Sequence, residues 1–144
     1  MVRNFEFLEP ARIAVSGFPE SAAAVDWLHD QGIHTVVSLH PIPDDARERL
    51  REREMLWLDF PITDFSEGIP DEFDVLLDRI EEELTGDGAV LIHCQGGGGR
   101  SRAVYASLLV NRGERPAAAI AAAGVEKDVQ KAFVHGFYHG CVEK

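Results

Sequence analysis

The stretch VLIHCQGGGGRS, residues 90–101, decides the fold and raises the main question about this chain. An apolar run typical of a buried strand ends on one His and one Cys, and four consecutive glycines then lead to an Arg and a Ser. Glycine loses more conformational entropy on folding than any other residue, so a run of four needs a compensating contact. The pattern indicates a strand-to-helix loop that closes tightly around a ligand.

The ligand expected for this loop is an anion of phosphate size. Successive backbone N–H groups of a glycine-rich turn can face inward and form a nest for an anion. A helix that begins near Ser101 adds the positive end of its dipole, and Arg100 offers a planar fork of donors that matches two phosphoryl oxygens. We call residues 94–101 the phosphate loop. Its predicted phosphate-binding residues are Gln95, Gly96, Gly97, Gly98, Gly99 and Arg100.

Strand and helix patterns alternate along the chain. Strands are predicted at residues 13–16, 35–39, 55–60 and 89–93, and helices at residues 21–30, 44–53, from 71 to the glycines at 86 and 88, at 101–111 and as two segments within 116–138. Strands separated by helices predict a single-domain α/β fold with a mostly parallel central sheet and helices on both faces. Ligands of such sheets bind at the carboxyl ends of strands, and Cys94 stands at one of them.

Composition limits the class of protein and of partner. The chain has 144 residues, enough for one domain with a core, and a formal net charge of −11. A surface this acidic is expected to repel nucleic acids and anionic membranes. No apolar run reaches the roughly 18 residues of a membrane span, and the first residues lack the pattern of a signal peptide. We therefore expect a cytoplasmic protein. We also expect a monomer.

Three further segments join the phosphate loop in a resemblance to a known family. HCQGGGGRS resembles the signature loop of the cysteine-dependent protein phosphatases, and the short chain is similar to their compact dual-specificity and archaeal-type tyrosine phosphatases. IAVSGFPES, LHDQGIHTVVSL and LDFPITDFSEGIP have the order and spacing of such enzymes, so the resemblance covers nearly the whole chain. The family more often has Ala at the position of Gly96, a difference expected only to soften the loop.

The resemblance implies a role for each residue of the site. Cys94 would be the nucleophile that forms a phosphocysteine intermediate, and Arg100 would bind the phosphoryl oxygens through the transition state. Ser101 would donate a hydrogen bond to the sulfur as it leaves. Asp64 would be the general acid that protonates the leaving oxygen and later activates water. His93 would order the loop and help to hold the thiolate.

The chemistry of such a site requires more than a thiolate. A free thiol has a pKa of about 8.5, and a helix N-terminus with a nearby Arg lowers it. A lower pKa raises the thiolate fraction but weakens each thiolate as a nucleophile, so the two effects on rate nearly cancel. Most of the rate must come from stabilising the phosphoryl oxygens and protonating the leaving group, which is why Arg100, the loop amides and Asp64 are needed.

Two other carboxylates compete with Asp64 for the role of acid. Asp64 lies in residues 61–70, whose two prolines and one glycine indicate a loop longer than a routine connection. Asp59 is predicted inside a strand, and Asp71 fits the first turn of the next helix. The loop position favours Asp64.

The remaining reactive residues have simpler interpretations. His135 and His139 stand four residues apart, but no third ligand accompanies them, so we expect surface residues and no metal site. Cys94 and Cys141 are expected to be free thiols, because a cytoplasmic domain of this size does not need a disulfide. No cofactor is expected.

These observations predict a metal-independent phosphomonoester hydrolase that acts on phosphotyrosine in proteins, with phosphoserine and phosphothreonine as further substrates of a shallow site. RNA 5′-triphosphates and phosphoinositides are less favoured, because the loop has no Lys and the chain is acidic. A rhodanese-type sulfurtransferase also places a Cys at the head of a loop followed by Arg, but would have little use for Asp64. A phosphate-binding module without catalysis is the last alternative, and Cys94, Arg100 and Asp64 together argue against it.

Overall fold

Alternating strands and helices build a five-stranded sheet in the computed structural model, which describes residues 1–63, 65–97 and 99–142. The strands are β1 (Glu6–Glu9), β2 (Ile13–Ser16), β3 (Ile33–Ser38), β4 (Leu56–Asp59) and β5 (Ala89–His93). Their order in the sheet is β1-β2-β5-β3-β4. β1 is antiparallel to β2, and the other neighbouring pairs are parallel. The last strand in the sequence therefore lies at the centre, and the loop after it emerges at the middle of the carboxyl edge.

The helices begin and end where local signals place them. They are α1 (Ala22–Asp30), α2 (Asp44–Glu52), α3 (Phe73–Glu83), α4 (Arg100–Asn111), α5 (Pro116–Ala123) and α6 (Asp128–Val142). Ser21 caps α1 by accepting a hydrogen bond from Ala24 N at 3.2 Å. Gly124, with φ of 71°, ends α5 in the left-handed conformation that glycine adopts easily. Within the described residues, no helix combines the length and the apolar character needed to cross a bilayer.

Helices cover both faces of the sheet. On one face, α1 and α2 pack against a layer that includes Ala14 and Leu91. On the other, α3, α4, α5 and α6 pack against a layer that includes Val15 and Ile92. Adjacent residues of a strand point to opposite faces, so β2 and β5 supply both layers and are buried along their whole length. The predicted α/β fold class is confirmed.

One strand escapes the sequence prediction. β1 has the sequence EFLE and pairs with β2 at the edge of the sheet, with Glu6 opposite Val15 and Phe7 opposite Ala14. Its two glutamates flank two apolar residues, so no period of two indicates a strand, and pairing with β2 forms it.

Some predicted boundaries shift by a few residues. The helix predicted from residue 71 begins at Phe73, after Glu72 with φ of 63°. Asp71 therefore lies before the first turn of α3, not within it as predicted. In the described part of residues 61–70, Phe65–Glu67 form a short 3₁₀ turn.

Four phenylalanines fasten this 3₁₀ turn to the core. The ring of Phe65 lies 4.3 Å from that of Phe133, centroid to centroid. Phe73 on α3 packs edge-on against Phe133 and Phe137 of α6, at 5.2 and 5.4 Å. All four are almost completely buried. These contacts join the 3₁₀ turn, α3 and α6 in one aromatic cluster.

Replacement of Phe73 by Ala is expected to lower the free energy of unfolding by about 3–5 kcal/mol, because Phe73 is 1 % exposed and the truncation leaves a cavity. Val75 on the same helix is 56 % exposed, so Val75→Ala should change the free energy by no more than about 0.5 kcal/mol. Urea unfolding followed by circular dichroism measures both. Equal losses in the two variants would contradict this packing.

Candidate active site

The phosphate loop connects the central strand to the most buried helix. His93 is the last residue of β5, Cys94 follows it, and α4 begins at Arg100. The backbone N–H of Cys94 donates to Ser16 O at the end of β2, which continues the parallel pairing by one residue. Cys94 is 3 % exposed and is a free thiol. Its sulfur therefore lies at the bottom of a cleft in front of the α4 N-terminus.

Donors converge on the sulfur of Cys94. The N–H of Gly97 donates to Sγ at 3.3 Å, and Ser101 Oγ lies 3.5 Å from it. Burial raises the pKa of the Cys94 thiol, but hydrogen bonds from the Ser101 hydroxyl and from the N–H groups of Ser101, Gly97 and Gly99 outweigh it and bring the pKa below its usual value. The loop thus favours a thiolate, towards which the Ser101 hydroxyl can act only as donor.

Arg100 links the phosphate loop to the segment that follows β4. Its Nη1 donates to Ile62 O at 2.6 Å, which engages one of the five N–H donors of a guanidinium. Arg100 is half-buried at the first position of α4. Asp64 and Gly98 lie outside the described residues. Their predicted roles, as general acid and as part of the phosphate nest, stay predictions.

A chain of hydrogen bonds fixes the tautomer of the buried His93. Its Nδ1 is 3.1 Å from the carbonyl oxygen of Cys94, which can only accept, so Nδ1 carries the proton. Its Nε2 is 2.5 Å from Ser38 Oγ, and Trp57 Nε1 donates to the same Oγ at 2.7 Å. An indole N–H can only donate, so the donors run from Trp57 to Ser38, from Ser38 to His93, and from His93 to the Cys94 carbonyl.

The His93 ring is held neutral. Burial lowers the pKa of His93 to about 4, and the positive charges of His40 and Arg100 add to this, against the raising effect of the hydrogen bond to the Cys94 carbonyl. Burial likewise lowers the pKa of His40, with the Arg100 charge as second cause. A neutral His93 suits a group that holds the backbone of Cys94 and does not exchange protons.

Two residues that the sequence motif does not indicate line both cavities of the cleft. Lys127 and Gln130 line both a cavity of about 340 Å³, which Cys94 also lines, and a second one of about 440 Å³. Gln130 is 6 % exposed and lies against the loop, since a Cβ on Gly99 would come within 2.5 Å of its Nε2. Lys127 directly precedes α6 and Gln130 lies in its first turn, and no spacing from Cys94 could identify them. Packing of α6 on α4 brings them to the cleft.

The cavities have the following walls. The first is lined by Cys94, Gln95, Gly96, Gly99, Arg100, Lys127 and Gln130. The second is lined by His40, Thr63, Phe65, Gln95, Arg100, Lys127, Val129 and Gln130.

The other residues singled out in the sequence lie elsewhere. Asp59 ends β4 and is exposed, and it lines neither cavity of the cleft. His135, His139 and Cys141 are exposed on α6. In the part of the chain that the structure describes, no three His, Cys, Asp or Glu side chains are grouped as a metal would require.

The family of the chain follows from a comparison with known protein families. Residues 2–135 match the family described as Swiss Army Knife protein, DSP-PTPase phosphatase domain. The chain belongs to this family. The predicted enzyme class is confirmed: the chain is a dual-specificity-type protein tyrosine phosphatase, a phosphoric monoester hydrolase.

Solved structures of phosphatases share the fold. Tk-PTP in its active form is 26 % identical with a TM-score of 0.77, and the match covers 96 % of this chain and 99 % of that one. Kinase associated phosphatase is 18 % identical with a TM-score of 0.80, over 100 % and 97 % of the two chains. TpbA of P. aeruginosa, crystallised in complex with phosphotyrosine, is 23 % identical with a TM-score of 0.67, over 93 % and 88 %. The phosphatase fold expected from the sequence is therefore confirmed.

Two neighbouring glycines of the loop should respond differently to an added methyl group. A Cβ on Gly96 meets nothing within 4 Å, and Gly96 does not have a positive φ, so Gly96→Ala should keep the activity within about threefold and stabilise the fold by about 0.4–1 kcal/mol. Gly97 has φ of 82°, and its Cβ would lie 2.6 Å from Gly17 N. Gly97→Ala should therefore lower kcat/KM for para-nitrophenyl phosphate by at least about tenfold. Full activity of Gly97→Ala would contradict the loop geometry.

The neutral His93 predicts a loss of stability in acid. Its pKa of about 4 lies below the usual 6.5, so between these values the unfolded chain binds the extra proton and stability falls as the pH falls. From pH 7 to pH 5 this contribution amounts to about 2 kcal/mol. In NMR spectra the His93 ring of the folded protein should not titrate between pH 8 and 5, whereas in urea it should. A folded-state midpoint near 6.5 would show that the ring is not held neutral.

Proposed function

We propose that this phosphatase hydrolyses phosphotyrosine in proteins through a phosphocysteine intermediate on Cys94. The observation that carries the proposal is the convergence of the Gly97 N–H and the Ser101 hydroxyl on a buried sulfur, beside Arg100 at the N-terminus of α4. An ionised sulfur and an anion nest at one point suit attack on a phosphoryl group. Phosphoserine and phosphothreonine are the further substrates.

In the first step, the thiolate of Cys94 attacks phosphorus and the bond from phosphorus to the ester oxygen breaks. The electron pair of that bond goes to the departing oxygen, which takes a proton from the Asp64 carboxyl. N–H groups of the phosphate loop and the Arg100 guanidinium hold the remaining phosphoryl oxygens, whose negative charge they stabilise in the transition state. The products are the free hydroxyl of the substrate and a phosphocysteine.

In the second step, water attacks the phosphocysteine and gives its proton to the Asp64 carboxylate. The bond from phosphorus to sulfur breaks, inorganic phosphate forms, and Cys94 departs as a thiolate. The same hydrogen bonds that lower the pKa of Cys94 stabilise the leaving sulfur, and Ser101 Oγ at 3.5 Å supplies one of them. His93 keeps the carbonyl of Cys94 in place throughout.

The walls of the cleft support a phosphorylated protein or peptide as the partner. Phe65 and Val129 offer an apolar wall next to Arg100, which suits the ring of a phosphotyrosine, and Lys127 adds a positive charge to an otherwise acidic chain. The crystallised complex of TpbA with phosphotyrosine, on the same fold, points the same way. Membership in a phosphatase family favours hydrolysis over sulfur transfer or phosphate binding without catalysis. We further propose a monomer that acts in the cytoplasm with neither nucleic acid nor membrane as partner.

Two substitutions separate the nucleophile from the acid. Cys94→Ser should have no measurable activity. Asp64→Asn should lose about 10²- to 10⁴-fold in kcat on phosphotyrosyl and phosphoseryl peptides, because the leaving oxygen departs unprotonated. The loss should shrink for para-nitrophenyl phosphate, whose leaving group is acidic, and a chelator should not change the rates.

Asp59→Asn and Asp71→Asn are the matched controls, since these carboxylates competed with Asp64 in the sequence. Both should keep the activity of the parent. An active Cys94→Ser variant would refute the phosphocysteine route. An Asp64→Asn variant as active as the parent on every substrate would refute the assignment of the acid. Transfer of sulfur from thiosulfate to cyanide that survives Asp64→Asn would favour the sulfurtransferase.

A further inference from the structure

The outer side of the phosphate loop is hydrogen-bonded to the N-terminal segment and to the end of β2. Gly17 N donates to Arg3 O at 2.8 Å, and Phe18 N donates to Gln95 O at 3.3 Å. The side-chain amide of Asn4 donates from Nδ2 to Gly96 O at 2.6 Å. Two consecutive carbonyls of the loop are thus bonded from outside.

The bond from Asn4 acts on the peptide unit that serves the sulfur. The carbonyl of Gly96 and the N–H of Gly97 belong to one planar trans peptide, so they point in opposite directions. At one end of this unit the oxygen accepts from Asn4, and at the other the N–H donates to Cys94 Sγ at 3.3 Å. Asn4 and the sulfur therefore hold the two ends of a single peptide plane.

The two residues that form this peptide have no side chains to hold its orientation. Glycines lie on both sides of it, and glycine adopts many backbone conformations at low cost. The direction of a Cβ on Gly96 is open for 4 Å. On the backbone side, Gly96 forms an isolated antiparallel bridge with Gly17, and Gly97 packs closely against Gly17 N. The side-chain donor to the Gly96 carbonyl is the Asn4 amide.

The backbone of Asn4 also suits the residue type. Its φ is 56°, in the left-handed region where Asn and Gly are the residues most readily accepted. An Asp at this position could adopt the same φ, but it would place a carboxylate oxygen next to the Gly96 carbonyl oxygen. The position thus combines an unusual φ with an amide donor.

We propose that Asn4 is a positioning residue of the phosphate loop, which keeps the Gly96–Gly97 peptide turned so that its N–H faces the sulfur and the bound phosphoryl group. The inference deepens the proposed function, because it rests on Cys94 as the nucleophile. Asn4 contacts no reacting atom and acts through the peptide. Without its bond, the peptide spends part of its time with the carbonyl turned inward, where it opposes both the thiolate and an anionic substrate.

The test compares Asn4→Gly, Asn4→Asp and Arg3→Ala, each in a Cys141→Ser background so that Cys94 is the thiol that reacts. Asn4→Gly removes the donor and still accepts the positive φ. Asn4→Asp keeps the shape and replaces the donor by an acceptor. Arg3→Ala is the control, because the neighbouring Arg3 contributes its carbonyl and has an exposed side chain. The readouts are the pH dependence of alkylation by iodoacetate, kcat/KM for para-nitrophenyl phosphate, inhibition by tungstate, and urea unfolding.

Asn4→Gly should raise the apparent pKa of Cys94 alkylation by about one unit, since one N–H bond to the thiolate is weakened. It should lower kcat/KM at pH 6 about tenfold and weaken tungstate binding by a similar factor. Asn4→Asp should change each of these readouts more than Asn4→Gly does, and Arg3→Ala should match the parent. A merely structural Asn4 would lower the urea midpoint and leave the alkylation profile unchanged, which would overturn the inference.

The alkylation profile needs no substrate, so it separates this inference from the proposed function. An active Cys94→Ser variant refutes the proposed function whatever the Asn4 variants do. An inactive Cys94→Ser variant, with alkylation profiles of Asn4→Gly and Asn4→Asp that equal the parent's, refutes the role of Asn4 alone. If Asn4→Asp fails to fold, Asn4→Gly decides.

Discussion

A buried sulfur that accepts hydrogen bonds from a turn of glycines is the interaction on which the rest of the site depends. Burial by itself favours the neutral thiol, so an ionised Cys94 requires donors that replace the lost water. The Gly97 N–H and the Ser101 hydroxyl are such donors, and both come from the turn into α4. The turn follows the central strand, β5, which is hydrogen-bonded to β2 on one side and to β3 on the other. This pairing holds the position of the sulfur. The order of the strands thus positions the chemistry.

Such a turn must be held from outside if its N–H groups are to face inward. Each peptide has two ends, and an inward N–H requires a partner for the outward carbonyl. Phe18 N and the Asn4 amide are these partners for Gln95 and Gly96. Inward-facing N–H donors also explain how a chain with a net charge of −11 can bind an anionic ligand. Donors within a few ångströms outweigh surface charges that salt screens over about 8–10 Å.

The sequence predicts those parts that local rules determine. The strands at residues 13–16 and 89–93 are compact apolar runs between turn signals, and the structure has them with the predicted bounds. β1 could not be found, because EFLE becomes a strand only through the edge of β2. Lys127 and Gln130 could not be found either, since their place at the cleft follows from the packing of α6 on α4 and from no spacing along the chain. The role of Asn4 could not be predicted either, because Asn4 meets Gly96 only in the folded chain.

Different causes set the preferred charge states of two adjacent side chains, His93 and Cys94. Burial keeps His93 neutral, and hydrogen bonds favour the ionised form of Cys94 in spite of burial. A cationic ring would attract the negative charge of the sulfur, as the loop amides and Arg100 do. It would thereby stabilise the thiolate before the thiolate attacks. A neutral ring that donates to the Cys94 carbonyl fixes the geometry and adds no net charge. The chain from Trp57 through Ser38 therefore acts on the direction of the Cys94 backbone, while the charge of the site stays with the loop amides and Arg100.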